Sequence, residues 1–464
     1  MTFARVCSLH YEKFSDGTVK CIEDEIPFEI PDGWAWARVF NVSTDLPYGT
    51  AKKSYPAGKM AVLRMGNLQN GEIVYRDLVY SSDEEDIAKY SLCPGDLLFN
   101  RTNSAELVGK TAIYRGSVPA IYAGYLIRIH PLINPEFLNA VMNSQYAKQY
   151  CYYVKADSVS QSNINANKLG AFLIPIPPAN EQKSISKEVS VFLPIISALQ
   201  EHETKVKELC AEAKSRILNL AIRGKLVPQD PADEPASVLL ERIRADKEEQ
   251  IKAGKIKRDK KESFIFRGED NSYYEKISDE VRCIDSEIPY TIPGTWTWCR
   301  GWSCFKEQES VTPPAGSFLY IDIDSIDNTR HVIARPKTLD GSDAPSRARR
   351  RIQTGSVVFS LVRPYLENIA LVTDAHSGGI ASTGFYVCSS EGMMIPSYMF
   401  LLMTSRYVVH GLNQFMKGDN SPSISKNDIE QWLYPIPPIC EQREISKAVD
   451  HFFELIQKIE QSLN

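Results

Sequence analysis

The segment closest to a catalytic motif is an octapeptide that ends in Gly-Lys-Thr, residues 104–111 (SAELVGKT). It departs from a phosphate-binding loop at its first position, where Ser104 replaces the glycine that lets the backbone curl around phosphate. The residues that follow, 111–114 (TAIY), predict a strand, whereas a phosphate-binding loop is followed by a helix. A nucleotide-binding enzyme therefore remains one alternative, and loss of ATP turnover in Lys110→Ala would support it.

Other patterns for catalysis or metal binding are absent from the sequence. No G-x-G-x-x-G precedes a predicted helix, and neither H-E-x-x-H, G-x-S-x-G nor the Asn/Asp-Pro-Pro-Tyr/Phe of amino-methyltransferases occurs. The ten cysteines are scattered without a C-x-x-C, and the seven histidines join no metal-ligand spacing. The sequence therefore predicts a non-catalytic chain with no metal and no cofactor of its own.

Side chains that bind nucleic acid are better represented, above all in the second half of the chain. Residues 346–351 (SRARRR) place four guanidinium groups within five residues. Arginine pairs bidentately with phosphate or with the major-groove edge of guanine. The alternative is a solvated surface that Asp340 and Asp343 neutralise. The candidates for DNA contact here are Arg335, Lys337, Arg347, Arg349, Arg350 and Arg351.

The first half has no such cluster, and it offers polar loops instead. One loop spans residues 48–55 (YGTAKKSY), and shorter polar segments surround positions 64–69 and 101–104. Asn, Gln, Arg, Ser and Thr are the side chains that read base edges, although ordinary loop chemistry uses them as well. The candidates are Lys52, Lys53, Tyr55, Arg64, Asn67, Gln69, Arg101 and Asn103.

Length and composition set the context for these side chains. The chain has 464 residues, 43% of them hydrophobic and 24% charged, which predicts two to four ordinary globular domains. No apolar run approaches the length of about 18 residues that a membrane span needs. The scattered cysteines favour a reducing, cytoplasmic interior. A net charge of −5 argues against a uniformly basic DNA-binding protein, but local basic patches decide that question.

The elements that must position these residues come from an internal repeat. Residues 173–189 (LIPIPPANEQKSISKEV) return as residues 433–449 (LYPIPPICEQREISKAV), an offset of 260. Residues 21–38 (CIEDEIPFEIPDGWAWAR) return as residues 283–300 (CIDSEIPYTIPGTWTWCR). Two shorter pairs lie between them, GDLLFN with GSVVFS and SNINAN with PSISKN. Four landmarks in one order at a nearly constant offset indicate a duplicated domain of about 180 residues.

Within each copy the pattern predicts an α+β domain. W-x-W alternation predicts a strand, and further strands are expected near residues 60–65, 97–100, 111–114 and 125–129. A helix is expected at 135–150, with Asn134 as N-cap and Pro135 at its first position, and its counterpart begins at Pro396. The copy then ends in a proline-stiffened extended strap that leads into an amphipathic helix.

The helix after Gln182 carries a heptad seam sustained for about five heptads, and the second copy keeps it. Pro194 is expected to kink or split this helix. The two seams predict pairing with each other, with packing on each domain's own core as the alternative. A second helix is expected near 236–252, followed by a basic linker at 252–261. The predicted seam residues are Ile185, Val189, Phe192, Ile196, Leu199, Val206, Ile445, Val449, Phe452 and Ile456.

These landmarks together resemble the specificity subunit of a type I restriction-modification enzyme over nearly the whole length. The resemblance rests on the paired tryptophan entries, GDLLF with GSVVF, the two IPP-x-x-EQ straps and the heptad helices. Residues 217–226 (ILNLAIRGKL) are also similar to the end of the long helix in that family.

The resemblance implies two target-recognition domains, at 1–180 and 263–440, each reading one half of a bipartite DNA site. Spacer helices at 181–262 and 441–464 would form an antiparallel coiled coil that sets the distance. Two methyltransferase subunits would supply S-adenosylmethionine chemistry, and restriction subunits would use ATP and Mg²⁺. A third hypothesis is a two-domain protein scaffold that does not bind DNA.

Overall fold

A computed structural model describes the backbone of residues 2–6, and residues 9–104, 106–157, 161–254, 262–278, 280–390 and 392–463. They form two compact units, Met1–Gln200 (unit 1) and Glu201–Asn464 (unit 2). Residues 255–261 of the predicted basic linker lie outside the described residues. The predicted domain boundaries remain predictions.

Unit 1 is a mixture of short strands and helices that ends in one long helix. Its strands are β1 (Thr2–Val6), β2 (Leu9–Lys13), β3 (Val19–Cys21), β4 (Ala35–Arg38), β5 (Met60–Leu63), β6 (Leu68–Gln69), β7 (Glu72–Ile73), β8 (Val79–Ser81), β9 (Leu97–Asn100), β10 (Thr102–Asn103), β11 (Thr111–Ile113), β12 (Ala120–Tyr122), β13 (Leu126–Ile129), β14 (Ala156–Asp157), β15 (Ser162–Asn163) and β16 (Leu173–Ile176). Its helices are α1 (Glu84–Tyr90), α2 (Pro135–Met142), α3 (Gln145–Val154), α4 (Ala166–Gly170) and the first part of α5 (Ala179–Ile222).

Unit 2 contains the rest of α5 and a second set of strands and helices. Its strands are β17 (Ser263–Arg267), β18 (Tyr273–Ile277), β19 (Glu280–Cys283), β20 (Thr297–Arg300), β21 (Ser317–Ile321), β22 (Ile326–Asp327), β23 (Val332–Ile333), β24 (Lys337–Asp340), β25 (Ala348–Arg351), β26 (Val357–Ser360), β27 (Ile369–Leu371), β28 (Ile380–Ser382), β29 (Phe385–Cys388) and β30 (Leu433–Ile436). Its further helices are α6 (Ala236–Lys252), α7 (Gly301–Cys304), α8 (Pro396–Met403), α9 (Arg406–Asn413), α10 (Lys426–Gln431) and α11 (Ile439–Gln461).

The sheets of both units are small and mostly antiparallel, as predicted for an α+β fold. In unit 1 the largest has the order β13-β9-β11-β7-β6, and β12-β5-β8 forms a second. In unit 2 the corresponding pieces are β27-β26-β29 and β24-β21-β28-β25. The glycine-led strands β9 and β26 are wholly buried, with Phe99 and Phe359 at 0% exposure, so they form the centre of each core.

The tryptophan strand and the proline strap, which stand at opposite ends of each repeat, pair with each other. β4 pairs antiparallel with β16, placing Pro175 opposite Trp36, and β20 pairs with β30, placing Pro435 opposite Trp298. A proline cannot donate to a ladder, and a two-stranded ribbon tolerates it because one side of each strand needs no partner. The predicted strand and extended strap are thus confirmed, and the sequence did not indicate that they are neighbours.

The helix predicted at 135–150 is two helices. Asn134 caps α2 as predicted, because its Oδ1 accepts from Phe137 N at 3.0 Å. Asn143 then bonds back to Asn139 O at 2.9 Å, and Ser144 caps α3 by accepting from Ala147 N at 3.2 Å. Asparagine and serine favour such caps over helix interiors, which explains the break. The counterpart begins at Pro396 as predicted and breaks before α9.

The long helix is continuous through Pro194, so the predicted split is wrong. Only part of the predicted seam is buried. Ile445 and Val449 are fully buried and Ile456 nearly so, whereas Phe192, Ile196 and Leu199 are about half exposed. On α11 the buried face continues to Phe453 rather than Phe452, which is 41% exposed. Gln442, Ser446, Val449 and Phe453 follow the three- and four-residue spacing of one helix face, and Phe452 lies at the margin of that face.

Within unit 2 the end of α5 and α11 share one hydrophobic core that includes Ala221, Ile222, Ile445 and Val449. Lys214 Nζ lies 2.8 Å from both carboxylate oxygens of Glu460. Further along, Gln229 donates to Glu441. Because the contacts move from 214 to 229 on one segment and from 460 to 441 on the other, the two segments run in opposite directions.

Candidate nucleic-acid interface

In each unit, the Glu-Gln pair that follows the proline strap joins the strap to the rest of the unit by hydrogen bonds. Trp34 Nε1 donates to Glu181 Oε2 at 3.1 Å, and Trp296 Nε1 donates to Glu441 Oε2 at 2.7 Å. The equivalent contact thus occurs once in each unit. It joins the first turn of each spacer helix to the entry of the tryptophan strand.

The glutamine of each pair is buried and bonds to the backbone on both sides. Gln182 Nε2 donates to Pro177 O at 2.9 Å, while its Oε1 accepts from Asn134 N at 3.1 Å. Gln442 Nε2 donates to Pro437 O and Met393 O, and its Oε1 accepts from Ile395 N at 2.8 Å. Each glutamine therefore ties the strap to the start of α2 or α8.

A largely buried arginine makes a second contact that the two units share, and the sequence analysis missed it. Arg38 bonds Glu12 through two nitrogens and reaches Ala171 O at 2.7 Å. Arg300 bonds Glu275 and reaches Gln431 O at 2.8 Å. These arginines end the matched tryptophan segments, which was the signal available in the sequence. The two units therefore share a rigid frame that carries their different loops.

In unit 1 the candidate residues gather around Arg101. Its guanidinium lies 4.6 Å from the centre of the Tyr48 ring, and its Nε donates to Gly124 O at 3.4 Å. Arg101 N donates to Tyr125 O, and Thr50 accepts from Gly124 N at 2.7 Å. The polar loop at 48–55 and the segment at 101–104 thus meet at residues 124–125. Tyr48 and Tyr125 were not among the predicted site residues.

A cleft of about 500 Å³ beside this point collects further candidates. Arg64, Gln69, Arg76 and Tyr125 line it. Asn67 also lines it, but Asn67 is only 4% exposed, and its amide donates to Val74 O and Arg76 O at 2.9 Å each. In this conformation Asn67 holds the loop, while the neighbouring side chains remain available to a ligand.

The other unit 1 candidates differ in how free they are. Lys52 Nζ lies 2.8 Å from Asp83 Oδ2, and this contact raises the pKa of the lysine. Its charge is therefore largely compensated. Lys53 is exposed, and Tyr55 is 56% exposed. Asn103 is half-buried, with its Nδ2 3.4 Å from Met65 Sδ.

In unit 2 the predicted arginine cluster lies on and just before β25, one of the two edge strands of its sheet, whose outer side is bridged at Arg350 by Ser310. Arg347 and Arg351 are exposed, and Arg351 NH1 is 3.8 Å from Glu309. Arg349 is half-buried and donates to Ser346 O at 3.2 Å. Arg350 is half-buried, and its buried Nε has no partner within the part of the chain that the structure describes. An edge strand with arginine side chains suits phosphate or base contact.

The remaining unit 2 candidates lie at the other edge of this sheet, with Lys337 on β24 and Arg335 just before it. Arg335 is exposed. Lys337 Nζ is 2.5 Å from Asp322 Oδ2, a contact that raises the pKa of the lysine. Asp340, proposed above as a neutraliser of the arginines, instead accepts from Ser342 N and Oγ.

The segment resembling a phosphate-binding loop does not have the geometry of one. Residue 105 lies outside the described residues, but Thr111 is 1% exposed and begins strand β11 rather than a helix. Lys110 Nζ lies 3.4 Å from Gln69 Oε1. Among the described residues, no group of three or more His, Cys, Asp or Glu side chains could hold a metal ion. A search of the described helices finds none long and apolar enough to cross a membrane.

Comparison with known proteins favours the DNA-recognition interpretation. Residues 39–208 match the family model of the type I restriction modification DNA specificity domain. The type I restriction enzyme EcoAI specificity subunit of Escherichia coli is 22% identical over 508 aligned positions, covering 94% of this chain and 80% of that protein. Residues 39–208 therefore carry a type I restriction modification DNA specificity domain, and most of the chain is similar to type I restriction enzyme specificity subunits. DNA recognition is the role of such specificity subunits, which are non-catalytic components of complexes in which partner subunits carry out catalysis.

Two further relatives of this specificity family were found. The type I restriction enzyme MjaX specificity subunit of Methanocaldococcus jannaschii is 33% identical over 178 residues, or 37% of this chain. The match spans 42% of that relative's length. A solved chain of a type I R-M system has a TM-score of 0.56 at 15% identity, with 94% of each chain covered, and shows the fold alone.

Proposed function

We propose that this chain recognises a bipartite DNA sequence, with each unit reading one half-site. The observation that carries the proposal is the shared frame with divergent loops. Both units have the Trp–Glu contact, the buried glutamine and the arginine that bonds a buried glutamate in corresponding places. Around this frame, unit 1 carries Arg101 in its polar loops, whereas unit 2 carries an arginine-rich edge strand. Two target-recognition domains with different targets would have this organisation.

The long helices are proposed to set the spacing between the half-sites as an antiparallel coiled coil. Support comes from unit 2, where the end of α5 and α11 run in opposite directions and share a core. The Glu-Gln lock fixes the first turn of each helix to its recognition domain. Half-sites on one face of DNA lie about 34 Å apart per helical turn, so a rigid connection between domains would select one spacing.

The partners in this proposal are double-stranded DNA, two methyltransferase subunits and restriction subunits, assembled in the cytoplasm. S-adenosylmethionine, ATP and Mg²⁺ would be bound by those partners and not by this chain. The nucleotide-binding alternative loses support because Gly109-Lys-Thr leads into a strand. A protein scaffold without DNA binding remains the competing hypothesis.

The test is selection of DNA by the chain in complex with its methyltransferase subunits. A pool of random 40-base-pair duplexes is expected to yield one discontinuous motif. Replacing residues 1–180 by the corresponding domain of another specificity subunit should then change one half of the motif and leave the other half unchanged. Sequence-independent binding that survives this replacement would overturn the proposal.

A further inference from the structure

The loop that joins β26 to β27 in unit 2 is strained at both of its ends. Arg363 has φ 47° and Glu367 has φ 54°, so both lie in the left-handed region that non-glycine residues avoid. Between them a single 3-10 turn, Pro364–Leu366, is closed by Leu366 N to Arg363 O and Glu367 N to Pro364 O, each at 2.9 Å. Such conformations persist only where the surroundings hold them, and they concentrate at functional sites.

The surroundings hold this loop from two sides. Arg363 N donates to Pro422 O at 2.8 Å, and Arg363 NH2 donates to Asn420 O at 2.9 Å. On the other side, Asn328 Nδ2 donates to Leu366 O at 2.7 Å. Pro364 is buried against the unit. Hydrogen bonds from two neighbouring segments therefore hold this protruding loop in place.

The braces leave the tip of the loop facing outward. Tyr365 is 46% exposed and Leu366 is 40% exposed, although both are large apolar side chains. Closing the turn between the two strands does not by itself require that Tyr365 and Leu366 be exposed. Rigid presentation of an apolar tip does lower the entropy cost of binding a partner.

The cationic side chains around the tip favour a negatively charged partner. Arg363 itself, Arg330 and Lys417 are exposed on the three segments that meet at the tip, against the carboxylates of Glu367 and Asp419. Glu367 faces His331 Nε2 at 3.9 Å. Cationic side chains around an apolar tip match DNA, whose phosphates flank base edges such as the methyl group of thymine.

The tip is also continuous with the arginine edge strand. Thr383 N donates to Arg347 O, and Leu361 N donates to Gly384 O, each at 2.8 Å. The turn at 383–384 thus connects Arg347 to the strand from which the loop projects. In unit 1 the corresponding turn contains Gly124, which accepts from Arg101 Nε. The corresponding turn in each unit therefore lies against a candidate arginine, Arg101 in unit 1 and Arg347 in unit 2.

We propose that Tyr365 and Leu366 contact base edges of the half-site read by unit 2 and determine part of its sequence. This inference rests on the proposed function. The loop brings the two side chains into the groove, while Arg363, Arg330 and Lys417 contact the flanking phosphates. Neither the sequence motifs nor the family match, which ends at residue 208, indicates this loop.

The test uses the same complex with methyltransferase subunits and the same pool of random duplexes. The double variant Tyr365→Ala/Leu366→Ala is compared with wild type and with Val281→Ala, a control that removes an apolar side chain 53% exposed on β19. The double variant is expected to select an unchanged first half-motif and a degenerate second one. Its affinity for the wild-type site should fall about tenfold or more, as for the loss of one or two base contacts.

Three results would overturn the inference. If the double variant selects both half-motifs with affinity within twofold of wild type, the tip does not touch bases. If it loses both halves while Val281→Ala keeps them, the tip serves folding or assembly instead. If wild type itself selects no motif, the proposed function fails and this inference fails with it. Retention of the first half-motif by the double variant shows that unit 1 is intact. A urea unfolding curve that matches wild type shows that unit 2 is folded as well, and a lost unfolding transition together with a degenerate second half-motif would count against the inference.

Discussion

At the residue scale, two effects act in opposite directions on the charge of Glu441: the helix dipole favours the carboxylate, and burial disfavours it. Its place in the first turn of α11 favours a carboxylate, since the helix dipole is positive there. The same side chain is 4% exposed, and burial raises its pKa. Hydrogen bonds from Trp296 and Gln229 oppose that shift, while Asp233 adds to it. The strap contact in unit 2 is therefore sensitive to pH.

We predict that Glu441→Gln stabilises unit 2 relative to wild type as pH rises. The folded protein binds the proton of Glu441 more tightly than the unfolded chain, so this group's contribution is full below the ordinary pKa of 4.5. That contribution is lost as pH rises from 4.5 through the raised pKa. Urea unfolding followed by tryptophan fluorescence at a series of pH values measures the difference. A difference between variant and wild type that stays constant with pH would contradict this account.

The left-handed residues of the 363–367 loop offer a second residue-scale prediction. Glu367→Gly should leave unit 2 more stable than Glu367→Ala by about 1 kcal/mol, because alanine keeps the positive-φ strain that glycine removes. Both variants lose the same carboxylate, so their comparison isolates the backbone. Thermal unfolding of the two proteins measures it. Equal stability, or a more stable alanine variant, would show that the loop relaxes away from φ 54°.

At the element scale, the chain leaves the end of α5 through a glycine in the left-handed region. The helix ends at Ile222, and Lys225 N then bonds Leu220 O at 3.0 Å across Gly224, which has φ 65°. A Cβ at Gly224 would lie 2.4 Å from Pro293 Cγ. Gly224 therefore meets both a conformational and a steric requirement just after the end of α5.

Gly224→Ala is predicted to destabilise unit 2 by roughly 3 kcal/mol, from the positive φ and the clash together. Gly254→Ala is the matched control, since Gly254 follows α6 with φ 70° and a Cβ there would meet nothing within 4 Å. The control should cost only about 1 kcal/mol. Chemical unfolding of both variants measures these values. Equal losses would show that the contact with Pro293 relaxes without cost.

At the scale of the whole molecule, an acidic protein must bind DNA through local charge. Its net charge is −5, and many of its surface cations are already paired, as Lys52 is with Asp83 and Lys337 with Asp322. Arg347 is exposed at the junction of the edge strand and the loop at 363–367. Arg347 has no ion pair among the residues that the structure describes, and cations of this kind are expected to dominate the salt dependence of binding.

Arg347→Ser is predicted to lower the slope of log affinity against log salt concentration by about 1, as for the loss of one phosphate contact. Lys52→Ser should change the slope less, since Asp83 already compensates that lysine. Fluorescence anisotropy with the selected duplex at several salt concentrations measures both. If reversing the charges of Arg349, Arg350 and Arg351 also leaves affinity unchanged, the protein-scaffold hypothesis is favoured.

The sequence by itself determined the repeated segments, the mixture of helices and strands, most strands, the cap at Asn134 and the likeness to specificity subunits. These features follow from local rules, in which prolines impose extended backbone, alternation marks strands and a polar residue begins a helix. The break of the helix at Asn143 is also a local feature. The preference of Asn143 and Ser144 for caps and that of their neighbours for helix were too close to separate from sequence. The strands near 60–65, 97–100, 111–114 and 125–129 were found because each is a short apolar run.

Only the tertiary structure decided which of the polar residues are free to meet a ligand. Asn67 and Gln69 look alike in the sequence, yet Asn67 is buried in its own loop and Gln69 is exposed. Arg38 and Glu12 lie 26 residues apart and bond only because two strands bring them together. The positive φ values at Arg363 and Glu367 likewise depend on distant partners, Pro422, Asn420 and Asn328. Burial and hydrogen bonding between remote segments are set by packing, and no local pattern encodes them.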